Sequence, residues 1–503
     1  MYCLEHLIDL KFVPTYSHLQ VHDSAFQKGI NFLEFHYNRM NSFLNYQNEQ
    51  NMSLFTDFYE LTMCASYFDN QKFEPATFDL FIRRLPPDRG YLLFVGLEQV
   101  LQYLSNMKFT EKHLAYLKKQ GFAKDFLGYL RNFKFTGDVW AAPEGTIAFP
   151  CEPLIRVTAP IIEAQIVETF LLNTVNLQTM IATKASRIVN AARGKTVIEF
   201  GLRREHGIDA GMKVARSSYI AGCRGTSNVL AGLTYGIPVF GTMAHSFIMS
   251  YEREIEAFRA FAKTFPANST LLIDTYDDIA GAEKAVVVAK ELERAGHKLS
   301  GVRLDSGDVA EISKKVRKLL DEKDLQYVRI FASGDLDEFK IRALQKQGAK
   351  IDAFGVGTKM GTSEDKPYVD VIYKLCETMT SDGGFSPIMK LSKGKATLPG
   401  RKQVYRFKDD EGNFEKDVIA LADEKVDGEP LMVNVVKKGK VFYDFPSLSE
   451  IRLAATKNLS LLPDKYKKVT GSAEYPVELS QDLEKLIRNL KNKLLKTEVS
   501  ASL

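Results

Sequence analysis

Short β-branched runs alternate with longer amphipathic segments along residues 151–385. The runs read "KTVIEFG", "GIPVFG", "STLLID", "LSGVRLD", "YVRIFAS" and "IDAFGVG". A strand followed repeatedly by a helix is the pattern of a parallel sheet, because parallel neighbours need a crossover long enough to hold a helix. Three of the helices are marked by their own residues. "GAEKAVVVAKELERAG" closes on Gly296, which suits a left-handed C-terminal cap. "VAEISKKVRKLL" sets Val309, Ile312, Val316 and Leu319 along one face. "DLDEFKIRALQKQG" places Asp335 three residues before Glu338, a capping-box spacing, and closes on Gly348. The expected fold class is α/β. A right-handed βα array closing into a barrel presents its functional loops at the C-terminal ends of the strands.

The flanks have a different texture. "SLFTDFYELTMCASYF" offers Thr56 and Asp57 as caps before apolar residues at helical spacing, so a helix opens an N-terminal region over 52–150. After residue 385, turn-rich stretches such as "LSKGKATLPGRKQVYRFKDDEGNFEKD" predict antiparallel hairpins in a C-terminal region, 386–503. The final helix, "SQDLEKLIRNLKNKLLK", lines up Leu483, Leu486, Leu490 and Leu494 and turns a basic face to solvent. Residues 1–51 follow neither period and hold His6, His18, His22 and His36. They read as an extension of unassigned role, either poorly ordered or preceding a natural start near Met52.

Composition narrows the class. A length of 503 residues suggests two or three domains, and a net charge of +4 is too small to argue for nucleic acid. No run of about 18 apolar residues is present for a membrane span. Cys3, Cys64, Cys151, Cys223 and Cys376 lie too far apart for a zinc knuckle or a redox pair, and read as reduced thiols. The expectation is a cytoplasmic protein.

The strand ends carry the chemistry. "VIEFG" is followed by Leu202, Arg203, Arg204 and Glu205; "VRL" by Asp305, Ser306, Gly307 and Asp308; "RIFA" by Ser333, Gly334 and Asp335; "AFGV" by Gly357, Thr358 and Lys359. Two consecutive strand–glycine turns leave N–H groups free to face an anion, so Gly355, Gly357 and Thr358 with Ser333 and Gly334 form a candidate monophosphate cradle. Arg303 lies within its strand, and Asp305 and Asp308 flank a Ser-Gly turn. Those carboxylates suit ribose hydroxyls or Mg²⁺ held through water, while Asp308 equally suits the cap of the next helix. Acids for a sugar, amides for a phosphate and arginines for a further anion describe a sugar phosphate bearing a diphosphate or carboxylate. Outside the extension the histidines are His113, His206, His245 and His297. Only His245 passes straight from an apolar run into a polar turn. By position alone it is more often a satisfied core histidine than a reactive one.

Taken together, "LFTDFYELTM", "EFGLRRE", "FGTMAHSF", "LLIDTYD", "GVRLDSGD", "FASGDLDE", "FGVGTKM" and "LPGRKQVYR", in this order, strongly resemble nicotinate phosphoribosyltransferase from about residue 53 to 500. The resemblance implies an atypical, incomplete TIM-like αβ-barrel of the type II phosphoribosyltransferases, with an α+β region formed from both chain ends. It implies a homodimer with shared active sites. The implied reaction joins nicotinate to 5-phosphoribosyl 1-diphosphate, yielding nicotinate mononucleotide and diphosphate, with ATP as co-substrate and Mg²⁺ as cofactor. This is the first step of NAD biosynthesis from nicotinate.

By the same resemblance Tyr59 stacks on the pyridine ring, reaching into the neighbouring subunit, and Thr242 lies beside nicotinate. His245 becomes the transient phosphohistidine. Arg203, with Arg204 beside it, takes anionic groups of the substrate. Arg303 meets nicotinate, Asp305 the ribose and diphosphate, and Ser333, Gly334, Gly357 and Thr358 the 5-phosphate. Asp274 and Asp277 in "IDTYDD" are the candidates to orient the His245 ring. The competing readings are a nicotinamide-using enzyme of the same fold, a quinolinate-using one, and an inactive barrel serving as a binding protein.

Overall fold

Five of the six β-branched runs form one parallel sheet in the computed structural model, which describes residues 52–392 and 396–496. The extension 1–51 lies outside the described residues. The strand order is Thr196–Glu199, Ala353–Val356, Arg329–Ala332, Gly301–Leu304 and Thr270–Leu272, with every pairing parallel. Helices Asp278–Arg294, Val309–Asp321 and Glu338–Lys346 make the crossovers. Their small and branched residues, Ala282, Ala285, Ala289 and Val316 among them, pack on Leu271, Val302, Ile330 and Phe354 in a common core. The fold is therefore α/β with a parallel sheet.

The sixth run, "GIPVF", departs from expectation. Only Val239 bridges, to Thr226, which in turn bridges to Glu199, both in parallel. Pro238 has no N–H to give to a ladder, which stops the run from forming a full strand. Its carbonyl accepts from Thr226 N at 3.1 Å, and Phe240 N donates to Thr226 O at 2.9 Å. The parallel pairing thus continues beyond Thr196–Glu199, one residue wide.

The helix ends between the parallel strands follow the sequence with one correction. Gly296, at φ 79°, closes the Asp278–Arg294 helix as expected. Asp335, however, is in the left-handed region at φ 49° and does not cap Glu338–Lys346. The chain first buries Leu336, and the cap falls to Asp337, whose Oδ1 accepts from Lys340 N at 2.7 Å.

Both chain ends build a seven-stranded antiparallel sheet. Its order is Phe385–Pro387, Val371–Met379, Pro75–Ile82, Pro153–Pro160, Asp138–Ala141, Val433–Lys437 and Lys440–Val441. The strands Pro153–Pro160, Val371–Met379 and Phe385–Pro387 thus belong to this sheet, and the parallel strands lie between residues 196 and 356. Helix Glu168–Ala191, 24 residues long, connects the two cores: Leu171, Val175 and Ile181 pack into the antiparallel side, and Ala182, Ala185 and Ile188 into the parallel side. The predicted hairpin forms from Lys402–Lys408 and Phe414–Leu421, and the final helix, Gln481–Leu494, buries Leu483 against Val404 and Ile419. Among the described residues no helix is long and apolar enough to cross a membrane.

Candidate active site

Strand alternation places Arg303. Its neighbours Val302 and Leu304 are fully buried towards the helices, so its own side chain emerges on the opposite face. There it gathers residues from three loops. Nη1 donates to Thr242 Oγ1 at 2.6 Å and to Met243 O at 3.2 Å, Nε to Ser333 Oγ at 3.0 Å, and Nη2 lies 3.3 Å from Asp305 Oδ1. Ser333 Oγ also donates to Asp305 Oδ1. Thr242, the Arg303–Asp305 segment and Ser333, about 30 residues or more apart in the chain, are thus one hydrogen-bonded group.

The glycine turn beside it is close-packed. Gly334 has φ 86°, and a Cβ there would stand 1.9 Å from the carbonyl oxygen of Asp305. Only glycine lets the two strand-end turns touch. The neighbouring turn runs through Gly357 into the short helix Thr358–Gly361. Lys359 reaches back to Asp335 at 3.2 Å and Asp337 at 3.3 Å; these acids outweigh the cost of its burial and hold the ammonium charged. Arg203 and Arg204 lie on the 3-10 turn Leu202–Arg204 and are exposed.

His245 begins a short helix, His245–Met249, and is half-buried. Its ring corrects the expectation of a carboxylate partner: Nδ1 lies 3.1 Å from Thr275 Oγ1. Asp274, one residue earlier, is committed elsewhere, its Oδ2 accepting from Asp305 N at 2.9 Å and Ser306 Oγ at 2.7 Å. Asp277 caps the Asp278–Arg294 helix through Ile279 N and Ala280 N. Thr275 carried no signal of its own beyond its place between those two acids. Asp308 acts as a cap too, accepting from Glu311 N at 3.2 Å.

Tyr59 is half-exposed near the start of helix Phe58–Asp69. Partial burial, then Glu168, Glu60 and Asp57, keep its phenol protonated. It stands among these acids rather than within the Arg303 group. Asp57 precedes the helix as expected, yet its carboxylate accepts from Thr169 Oγ1 at 2.8 Å instead of capping.

A cavity of about 670 Å³ shares Thr242 with this group; Ile198, Phe200 and Phe331 also line it, and it extends to the strands' N-terminal ends at Thr196, Thr270, Gly301, Arg329 and Ala353. The rings of Phe200 and Phe331 are 5.7 Å apart. Sequence reading passed over Phe200, because an aromatic next to a strand end looks like core. Among the described residues no group of three or more His, Cys, Asp or Glu could hold a metal ion. Asp305 has one oxygen taken by Arg303 and Ser333, which leaves Oδ2 as its remaining acceptor. One spare carboxylate oxygen fits a hydrated Mg²⁺ that is bound mainly by substrate phosphates.

Parallel-sheet loops bearing exposed arginines, glycine turns and an acid are the features of an α/β enzyme for a small anionic substrate. Residues 54–176 match the nicotinate phosphoribosyltransferase N-terminal domain, 196–395 the nicotinate phosphoribosyltransferase family and 425–487 its C-terminal domain. The chain is 45% identical over 431 residues to nicotinate phosphoribosyltransferase pncB2 of Mycobacterium tuberculosis, covering 85% of this chain and 91% of that protein. It is 42% identical over 465 residues to nicotinate phosphoribosyltransferase of Bacillus subtilis, covering 86% and 94%. The crystal structure of human nicotinic acid phosphoribosyltransferase superposes with a TM-score of 0.77 at 29% identity, covering 86% of this chain and 99% of that one. The chain belongs to the nicotinate phosphoribosyltransferase family.

Proposed function

We propose that the chain joins nicotinate to 5-phosphoribosyl 1-diphosphate, releasing nicotinate mononucleotide and diphosphate, with ATP hydrolysis coupled through transient phosphorylation of His245. The Arg303 fork carries this reading. A guanidinium held by Thr242, Met243 O and Ser333 at the edge of an aromatic-walled cavity suits a pyridine carboxylate, and favours the acid over the amide through a charge-assisted bond.

The nicotinate ring nitrogen is already a nucleophile, so the site needs no general base. Phe200 offers a ring face, and Arg303 with Thr242 sets the carboxylate, which aligns the nitrogen with the anomeric carbon. As the bond to diphosphate breaks, positive character grows on the ribose and negative charge on the leaving group. Asp305 faces the first, and Arg203 and Arg204 the second. Asp305 would meet a Mg²⁺ carried by the diphosphate, which would supply further neutralisation. Ser333, Gly334, Gly357 and Thr358 take the 5-phosphate. For the coupled step, a neutral His245 nitrogen attacks the ATP γ-phosphoryl group and ADP leaves; Thr275 fixes the ring from Nδ1, which leaves Nε2 as the attacking atom.

We read the parallel sheet, extended through Thr226 and Val239, as an open αβ-barrel, and the active form as a homodimer. Support for the dimer comes from exposed apolar side chains, Phe55, Phe58 and Tyr59 at one site and Val229, Leu230 and Leu233 at another. Tyr59 then completes the ring site of the neighbouring subunit. The deciding experiment is product formation from nicotinate or nicotinamide, with and without ATP. Nicotinate-selective, ATP-stimulated synthesis is expected, and His245→Ala should abolish phosphoenzyme while retaining slow ATP-independent transfer. Equal use of both pyridines, or full ATP coupling in His245→Ala, would overturn the corresponding part.

A further inference from the structure

Two carboxyl groups at the end of the Thr196–Glu199 strand have no part in the reaction as derived above. Glu199 is fully buried and accepts from Gly201 N and from the Thr226 hydroxyl. Glu205 lies against it, walled by glycines. A Cβ on Gly201 would stand 2.7 Å from Glu205 Oε1 and 3.0 Å from Glu199 Oε1; one on Gly361 would stand 2.9 Å from Glu205 Oε1, and one on Gly211 3.1 Å from Glu205 Oε2. Both Glu205 oxygens are buried and receive no N–H or O–H donor among the described residues.

Two carboxylates in such a gap do not both ionise; one proton stays between them. Burial, then Glu199, pushes Glu205 up to about 9, so Glu205 is the acid that donates to Glu199. Glu199 is the charged group that acts on Glu205. Glu199 itself faces the Thr226 hydroxyl, the Gly201 amide and, behind it, the buried Cys223 thiol, which stays protonated.

The pair spans two strand-end turns. Glu205 directly follows Arg203 and Arg204. Glu199 ends its strand paired with Val356, Phe200 N donates to Val356 O at 2.8 Å, and the next residues of that neighbouring strand are Gly357 and Thr358. Gly361, at the end of the Thr358–Gly361 helix, backs directly onto Glu205. We infer that the Glu199–Glu205 pair, joined by one shared proton, latches the Arg203–Arg204 turn to the Gly357–Thr358 turn and makes Glu205 a positioning residue for the phosphate groups of the ribosyl donor. This rests on the reading that these two turns receive those phosphates.

The test is the KM for 5-phosphoribosyl 1-diphosphate between pH 7 and 10 in the full chain, for wild type, Glu205→Gln, Glu205→Ala and Arg203→Ala, with folding checked by thermal melting. In the wild type this KM should rise above about pH 9, by up to about tenfold per pH unit, as the shared proton is lost. Glu205→Gln keeps a donor to Glu199 that cannot ionise. Its KM should stay within about threefold of wild type at pH 7 and lose the rise. Glu205→Ala should raise donor KM about tenfold or more at pH 7, with little change in nicotinate KM. A wild-type rise shared by Glu205→Gln, or Glu205→Gln as impaired as Glu205→Ala, overturns the latch. Arg203→Ala separates the two ideas: unchanged donor KM there removes the phosphate reading, whereas a raised KM with Glu205→Ala unaffected removes the latch alone.

Discussion

The antiparallel region and the parallel strand ends differ in how much of their charge is paired. In the first, acid meets base: Arg406 grips Asp417 at 2.5 and 2.9 Å, Lys402 lies 2.9 Å from Asp79, and Arg216 reaches Glu144 and Glu98 at 2.6 Å. At the strand ends, Glu199 meets another acid, Asp274 spends its charge on a backbone N–H and a hydroxyl, and Arg203 and Arg204 face solvent. The pairs of the first region are neutral within themselves, so their geometry does not depend on a ligand. In the second, Arg303 and Lys359 are paired with acids while Arg203 and Arg204 face solvent, which leaves positive charge for an anionic substrate to neutralise.

The largest effect tests the neutralised side. Asp417→Ala takes the paired acid from buried Arg406, leaving Glu152 as the neighbouring carboxyl, and should cost about 3–5 kcal/mol of stability, read as a lower urea midpoint, while folded protein keeps its catalytic constants. A loss below about 1 kcal/mol would mean that the pair is dispensable. Next, Arg303→Ala should lower kcat/KM for nicotinate about 100-fold, chiefly through nicotinate KM, because the charge-assisted contact is lost. Equal rises in the KM of nicotinate and of the ribosyl donor would argue against ring-carboxylate contact. Thr275→Val removes one hydrogen bond to His245 and should slow phosphoenzyme formation about tenfold, measured by rapid quench with labelled ATP. An unaltered rate would return the orienting role to another group.

The smallest effect marks where the contrast bends. Glu60, in the N-terminal helix, is a buried acid that pairs with no cation among the described residues; burial pushes it up to about 7 although Thr56 and Thr169 donate to it. The folded state therefore holds a proton that the unfolded chain releases from about pH 4.5 upward. Stability contributed by this group is present below that range and falls as pH rises to about 7. Glu60→Gln should flatten that stretch of the stability curve, measured by urea unfolding across pH 4–8. An unchanged slope would assign it to other groups.

Sequence periodicity located the parallel strands well because each is a short branched run bounded by turn residues, and burial on both faces demands such runs. It misjudged "GIPVF", where one proline outweighed the apolar pattern, and it set the cap on Asp335 when a buried Leu336 moved it two residues on to Asp337. In the candidate site, Arg303, Asp305, Ser333 and Thr242 were all legible as polar residues at strand ends or in motifs. Their mutual contacts were not. Asp274 and Thr275 illustrate the limit: one step along the chain turns a side chain in another direction, and the acid expected at His245 serves Asp305 and Ser306 while the hydroxyl beside it meets the ring.

The chain's own order of residues settled the α/β class, the positions of the strands and crossovers, and the motifs that mark the family, because these depend on local period and spacing. The tertiary structure alone decided that three loops converge on Arg303, that Thr275 and not an aspartate stands at His245, and that Glu199 and Glu205 share one buried gap. Such choices depend on distance, direction and desolvation between segments remote in the chain, which local pattern does not encode.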